Sequence, residues 1–265
     1  MSFFSEVYAV AWGDLRFMRH NIVQIIVSSL MLPILYLLAF GYGLRAGDVD
    51  IFGDGSVWVP YLNFVIPGII ALTSLSSAFN STATRMNVQR LYYRSFDEMM
   101  MCPLSNPAII VGKTMLGMIR ALFSCTLMFC IGCALEPKFL EWMNPGLFVL
   151  SVFCCCFLFG LLGETAALMV RSHSGMSLFT SLVITPMTFL CGTFFSVQNL
   201  PDGFQWVQYI LYVFPLTEAS MCIRGSALMG VSDAYAFPFW ALGVIIAFIV
   251  VLFAIDLYLI KNRKV

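Results

Sequence analysis

Residues 147–170 read Leu147-Phe-Val-Leu-Ser-Val-Phe-Cys-Cys-Cys-Phe-Leu-Phe-Gly-Leu-Leu-Gly-Glu-Thr-Ala-Ala-Leu-Met-Val170, and their one charged residue is Glu164. A helix of about 20 such residues, rising about 1.5 Å per residue, crosses a bilayer core. Arg171, Ser172 and His173 follow at once, and then a second apolar run from Gly175 to Val197. A turn that short joins two antiparallel helices. Four more runs of spanning length flank this hairpin: Ile22 to Leu44, Tyr61 to Thr82, Ile109 to Leu135, and Pro238 to Ile260. The expected fold is therefore an all-α integral membrane protein with six transmembrane helices. Composition agrees, since 60% of the 265 residues are hydrophobic, 11% are charged and the mean hydropathy is +0.91. A soluble enzyme is excluded, and a net charge of zero offers no basic patch to nucleic acid.

Two segments fall outside the spans. Phe204 to Phe214 is apolar but about half the length needed to cross. The turn cluster Asn199-Leu-Pro-Asp-Gly203 precedes it, and Pro215 separates it from Thr217 to Met229. Residues 199–229 are thus expected to form a short re-entrant helical hairpin before the last span. At the other end, Phe4, Val7, Tyr8, Ala11, Leu15 and Met18 recur at helical spacing within Phe3 to His20. They mark residues 1–20 as an interfacial amphipathic helix, either a simple anchor on lipid headgroups or a docking element. Glu6 and Asp14 precede its basic cluster, and it is not read as a cleaved signal peptide. The whole of 1–265 reads as a single membrane domain.

Basic residues of short loops face the cytoplasm. With the N-terminus inside, Arg16, Arg19, Arg85, Arg90, Arg94, Lys113, Arg171, Lys261, Arg263 and Lys264 are inner, against Arg45, Lys138 and Arg224 outside. Arg120 lies within a span. Ten against three places both termini in the cytoplasm. Acidic residues gather outside, at Asp48, Asp50, Asp54, Glu136, Glu141, Asp202, Glu218 and Asp233.

The inner loop over residues 83–107 combines Arg85, Arg90 and Arg94 with Phe96, Asp97 and Glu98, then Met99 to Met101. Arg90 and Arg94 are four apart, on one helical face. A short helix carrying Phe96, Asp97 and Glu98 would present an exposed apolar and acidic knob to a cytoplasmic partner, and methionines suit adaptable contacts. A solvated positive loop explains the arginines without the knob. Within the membrane, Arg120 lies seven residues after Lys113 and Glu164 seven before Arg171, so the two are expected at equal depth and in pairing distance. Both sit on small-residue stripes, Gly117 on one helix and Gly160 and Gly163 on the other, which let helices approach. A structural pair is the blander reading, a proton or substrate role the sharper one.

Several motifs fail. Gly112-Lys113-Thr114 ends like a phosphate-binding loop, but position 107 is proline and the segment opens a membrane helix. Cys154-Cys155-Cys156 lacks metal-ligand spacing and reads as packing. His20 and His173 stand apart from any carboxylate or cysteine partner, and Asn80-Ser81-Thr82 lies at the inner end of a span, closed to glycosylation.

Three stretches together resemble type-2 ABC exporter permeases, nearest the drug-resistance and nodulation-factor export branch. They are Asn63-Phe-Val-Ile-Pro-Gly-Ile69, Phe96-Asp-Glu-Met-Met-Met-Cys-Pro-Leu104 with Arg120 downstream, and Thr185-Pro-Met-Thr-Phe-Leu-Cys-Gly-Thr-Phe-Phe-Ser-Val-Gln-Asn-Leu-Pro201, followed by Pro215-Leu216-Thr217. The similarity covers nearly the whole chain. It implies a permease of the plasma (inner) membrane that pairs with a second copy of itself and docks a separate ATP-binding subunit. That subunit, not this chain, would bind ATP and Mg. By the same resemblance the N-terminal helix and the loop from Arg85 to Pro107 form the ATPase-coupling surface, and the segment around Leu200, Pro201 and Pro215 closes the outer end as a gate. The implied mechanism is alternating access, with Pro33, Pro67 and Pro186 as flexing points or static kinks. Thr180, Ser181, Thr185, Thr188 and Thr193 beside apolar residues suggest an amphiphilic substrate, drug-like, lipid or glycolipid. The alternative is a six-span channel or scaffold without an ATPase partner.

Overall fold

The computed structural model describes residues 3–20, 27, 31, 33–39, 48–50, 58–170, 172–194, 205–231 and 237–262. In chain order come α1 (Phe3–His20), strands β1 (Asp48–Asp50) and β2 (Trp58–Pro60), α2 (Tyr61–Leu91), α3 (Ser95–Met101), α4 (Asn106–Leu135), α5 (Lys138–Trp142) and α6 (Pro145–Met169). A helical run then passes through α7 (His173–Phe179), a π-helical turn (Thr180–Ile184) and α8 (Thr185–Leu190). Last are α9 (Gln205–Tyr212), α10 (Pro215–Ala227) and α11 (Phe239–Lys261).

Among the described residues four helices are long and apolar enough to cross a membrane: α2, α4, α6 and α11. They coincide with the second, third, fourth and last runs read from sequence. The first run, Ile22 to Leu44, lies mostly outside the described residues, although residues 33–39 are helical and Leu37 joins the core. The fifth run is helical over residues 173–190 and then unwinds at 191–194. Its π turn precedes Pro186, which lacks an amide hydrogen, and Thr185 donates its amide to the carbonyl of Thr180. The tight turn before α7 is capped by the Ser172 hydroxyl, which accepts from the Gly175 amide at 3.1 Å.

Two features depart from the sequence reading. An antiparallel ribbon pairs Asp48 with Pro60 and Asp50 with Trp58 immediately before α2, so the described residues are not all helical. More consequentially, α2 does not stop near Thr82. It continues to Leu91, and its 31 residues span about 46 Å. No glycine or proline interrupts residues 83–91, and Met86, Asn87, Gln89 and Arg90 are buried against neighbouring elements. The loop expected over 83–107 therefore shrinks to two short connections around α3.

Helix α2 is the hub. Every residue from Asn63 to Leu75 is buried, with α4, α6 and α10 around it. Small residues make this possible. A Cβ on Gly117 would lie 2.8 Å from the Ala78 carbonyl oxygen, and one on Gly163 would lie 2.8 Å from that of Phe79. The backbones of α4 and α6 thus touch α2 directly, as the small-residue stripes suggest. All nine cysteines are free thiols, with Cys125, Cys155, Cys156, Cys191 and Cys222 buried as small apolar fillers.

Gly163→Ala should lower the melting temperature of the detergent-solubilised protein, because overpacking costs about 1–3 kcal/mol. Gly243→Ala in α11, where a Cβ meets nothing within 4 Å, should leave it unchanged or raise it. Equal effects in the two variants would show that the close approach at Gly163 does not matter.

Candidate functional site

The chemistry concentrates at the end of the molecule where α1, α3 and the last turns of α2 meet, here the α1 end. The opposite one is the ribbon end. Helix α1 lies along the first turns of α4, with Val7, Val10 and Asp14 buried and Val10 seated where Gly112 lacks a side chain. Asp14 is the centre of a polar network. It accepts from Lys113 Nζ at 2.8 Å, from Arg85 Nε at 3.0 Å and from Gln89 Nε2 at 2.8 Å, and Lys113 also donates to Gln89 Oε1 at 2.8 Å. Burial pushes the Asp14 carboxyl up, but Lys113 and then Arg85 outweigh it and hold the carboxyl below its usual value of 3.8. Glu6 adds a second tie, accepting from the Ser105 amide at 3.0 Å and its hydroxyl at 2.5 Å. The apolar residues of α1 do not share one face: Phe4, Tyr8 and Trp12 point away from the protein.

The residues assigned to ATPase coupling divide into framework and surface. Arg85 is held by Asp14. Arg90 is buried and donates to the Ala167 carbonyl on α6. Arg94 does not share a helical face with Arg90, because α2 has ended and Arg94 takes the left-handed conformation, φ 52°, that turns the chain into α3. Phe96 is no exposed knob. It is 1% exposed and packs with Met86, Ile109, Ile110, Leu161, Leu168 and Ile260, fastening α3 to four helices. What α3 and its approach do expose are Tyr92, Tyr93, Arg94, Glu98 and Met101, with Asp97 half-buried beside them. Asp97 and Glu98 lie in the first turn of α3, where carboxylates suit the helix dipole.

Arg120 and Glu164 are not brought together. The Glu164 carboxylate accepts from the Thr114 hydroxyl at 2.9 Å, and Thr114 lies six residues, about 9 Å, before Arg120. Lys113 does not mark the membrane boundary, because α4 begins at Asn106 and spends its first two turns beside α1, and Arg171 lies outside the described residues. An intramembrane acid that sequence reading missed is Asp256 of α11, the helix packed along α6. Both acids are fully buried. Asp256 is the one acid in the last apolar run, and that was the available signal.

Beside this framework lies a cavity of about 440 Å³. It is lined by Thr84 and Asn87 of α2 and by His173, Met176, Ser177, Thr180 and Ser181 of the α7 run. Asn87 Nδ2 donates to His173 Nδ1 at 3.3 Å, while its buried Oδ1 has no partner. The His173 ring packs on Tyr92 with centroids 5.3 Å apart. Of the hydroxyl residues noted in the fifth run, Thr180 and Ser181 line this cavity, and the Thr180, Thr185 and Thr188 hydroxyls bond back to their own helical run. At the ribbon end Pro215 opens α10, and Leu200 and Pro201 lie outside the described residues. Arg224, taken from sequence as an outer-loop cation, is buried in α10.

Residues 5–223 match the family described as ABC-2 type transporter, and this covers α1 through most of α10. The chain belongs to the ABC-2 type transporter family. Among its relatives, the Inner membrane transport permease YadH of Escherichia coli (strain K12) is 26% identical over 252 residues, 92% of each chain. Nodulation protein J of Rhizobium leguminosarum bv. viciae is 28% identical over 241 residues, 90% of this chain and 87% of its own. That of Sinorhizobium fredii is 28% identical over 210 residues, 77% and 74% of the two. This chain is thus a transporter membrane subunit with several spanning helices, and ABC-2 membership implies an ATP-binding partner subunit in general.

The Asp14 network should hold α1 in place at neutral pH. A carboxyl with a lowered pKa stabilises above its unfolded value and loses that contribution as pH falls through its folded one. Protection of α1 amides from hydrogen exchange should therefore persist at pH 5 and fall away progressively as the pH drops below 3.8 toward the lower folded value. Asp14→Asn leaves Lys113 buried without its counter-charge and should cost about 3–5 kcal/mol. Loss of α1 protection already at pH 5 in the unmodified protein would contradict the assignment.

Proposed function

We propose that this chain is the permease subunit of an ATP-driven exporter of the plasma (inner) membrane, working as a pair of copies with a separate ATP-binding subunit that carries ATP and Mg. The observation that supports it most is a shared lever. Tyr92, the residue after α2, packs on His173 of the cavity, and Arg94 two residues later turns the chain into the exposed surface of α3. A push on α3 reaches the cavity through the end of one rigid helix. Phe96, locked among four helices, keeps that push from being absorbed by movement of α3 alone.

In this reading the α1 end is cytoplasmic, as the distribution of lysine and arginine favours. The chain crosses six times, the first and fifth runs joining the four long helices, and α1 lies at the interface with Phe4, Tyr8 and Trp12 toward lipid. Residues 199–229, including α9 and α10, form the outer hairpin. The coupling surface is Tyr92, Tyr93, Arg94, Asp97, Glu98 and Met101, with Arg85, Arg90 and Phe96 as its framework. The substrate is amphiphilic: the cavity offers hydroxyls, an amide oxygen and an imidazole beside Met176. Alternating access would open this cavity to one side and then the other, with the π turn as the soft point of the fifth span, since π segments mark places where helix bonding is easily rearranged.

Glu98→Lys combined with Met101→Asp changes only exposed groups. It should weaken co-purification with the ATP-binding subunit about tenfold or more and stop export, while costing at most about 1 kcal/mol of stability from the lost helix-dipole interaction of Glu98. Phe96→Ala should lower both association and stability, by about 3–5 kcal/mol for the latter. Undiminished association and export in the double variant would remove this coupling surface.

A further inference from the structure

The fifth helical run ends at Leu190, and the next four residues, Cys191 to Phe194, are buried without being helical. Four successive carbonyls are thus exposed to an apolar interior, where each needs a donor. Side chains of α2 and α10 supply donors to three of them. Arg224 Nη2 donates to the Gly192 oxygen at 3.1 Å and the Thr193 oxygen at 3.2 Å. Tyr61 donates its hydroxyl to the Phe194 oxygen at 3.2 Å, and the Ser220 hydroxyl, which donates to the Thr217 carbonyl at 2.8 Å, lies 3.5 Å from the Cys191 oxygen.

Arg224 holds α2 in the same grip. Its Nε donates to the Phe64 carbonyl at 3.2 Å, and its guanidinium carbon lies 3.7 Å over the Phe64 ring. A second feature shows that the contact is built into α2. Any Cβ at Gly68 would collide with the Thr193 carbonyl oxygen, so only glycine lets the unwound segment lie on the helix at that point. The positive charge also sits just beyond the C-terminus of α8, where the helix dipole favours a cation.

We infer that Arg224 is a latch: with Tyr61 it fastens the unwound end of the fifth run to α2 and α10, closes the ribbon end of the transport path, and opens during each transport cycle. The inference rests on the transport reading above. The π turn, whose Thr180 and Ser181 line the cavity, and Pro186 lead from there to the latch, and helix bonding along them is already altered. The segment beyond that point, 185–194, can tilt away from α2 only if the bonds to Arg224 and Tyr61 let go. Those bonds end on neutral backbone carbonyls, which water replaces readily once the ribbon end opens.

The test is hydrogen exchange on the full chain with its ATP-binding subunit in lipid nanodiscs. Arg224→Gln should speed exchange of residues 191–194 about tenfold or more, as expected for losing hydrogen bonds from a charged group, while α4 and α6 stay unchanged. Tyr61→Phe, which removes one hydroxyl, should give a smaller rise confined to the same segment and serves alone if Arg224→Gln fails to fold. In the unmodified complex, ATP with vanadate should speed exchange of 191–194 by a comparable factor. The latch is overturned if neither variant changes that segment, if α4 and α6 speed up equally, or if ATP leaves 191–194 unaltered in a complex that hydrolyses it. Failure of the transport reading would show separately, as an unmodified chain that does not co-purify with any ATP-binding subunit.

Discussion

The contact on which the rest of the structure depends is that of α2 with two neighbours at once, backbone against backbone. Apolar side chains gain nothing from leaving lipid for protein, so helices in a membrane associate through close packing and polar contacts. Gly117 and Gly163 supply the first by bringing the α4 and α6 main chains onto α2. The hydroxyls along the middle of α2 add little between helices, because Thr73, Ser74 and Ser81 each bond back to a carbonyl of α2 itself. Polar ties between elements collect at its two ends, in the Asp14 network at one and around Arg224 at the other.

This division explains which parts of the molecule were legible in the sequence. Long apolar runs have one solution in lipid, and α4, α6 and α11 lie where their runs place them. The end of α2 was misjudged for a physical reason. Arg85, Gln89 and Arg90 read as solvated loop residues, but each finds a specific partner, Asp14 or the Ala167 carbonyl, which permits burial. Nothing local to residues 83–91 announces those partners, since Asp14 is 71 positions from Arg85. Phe96 was misplaced similarly, as a short segment between prolines and arginines looks exposed until the pocket formed by α2, α4, α6 and α11 is seen. Helical phase relative to the membrane was the third failure. Counting residues from Lys113 assumed that a lysine marks the boundary, whereas this lysine is buried beside a carboxylate.

Membership of the ABC-2 family gives these placements their functional weight, because a membrane subunit driven by a partner must carry force from a soluble surface to a buried path. A loop over 83–107 would dissipate such a force. A helix continuing to Leu91 and a short α3 pinned by Phe96 would not. The same logic separates the arginines: Arg85 and Arg90 are engaged within the chain, by Asp14 and the Ala167 carbonyl, whereas Arg94 is exposed beside Glu98 and Met101 on the side a partner could reach.

Two polar clusters at opposite ends of one rigid helix also limit how the chain can move. At the α1 end, Asp14 bonds to Lys113 and Arg85, a buried charge cluster whose disruption strands charge in an apolar setting at several kcal/mol. At the ribbon end, Arg224 and Tyr61 tie the unwound segment through its backbone carbonyls, and hydrogen bonds to a charged group contribute about 1.5–3 kcal/mol each. The two clusters therefore differ in kind: the first joins charged side chains of three helices, α1, α2 and α4, whereas the second joins side chains to the main chain of one short segment. A rearrangement driven from α3 that kept the first intact would have its outlet at the second. The π turn, which begins in the cavity wall, and Pro186 lie in the one run that ends there.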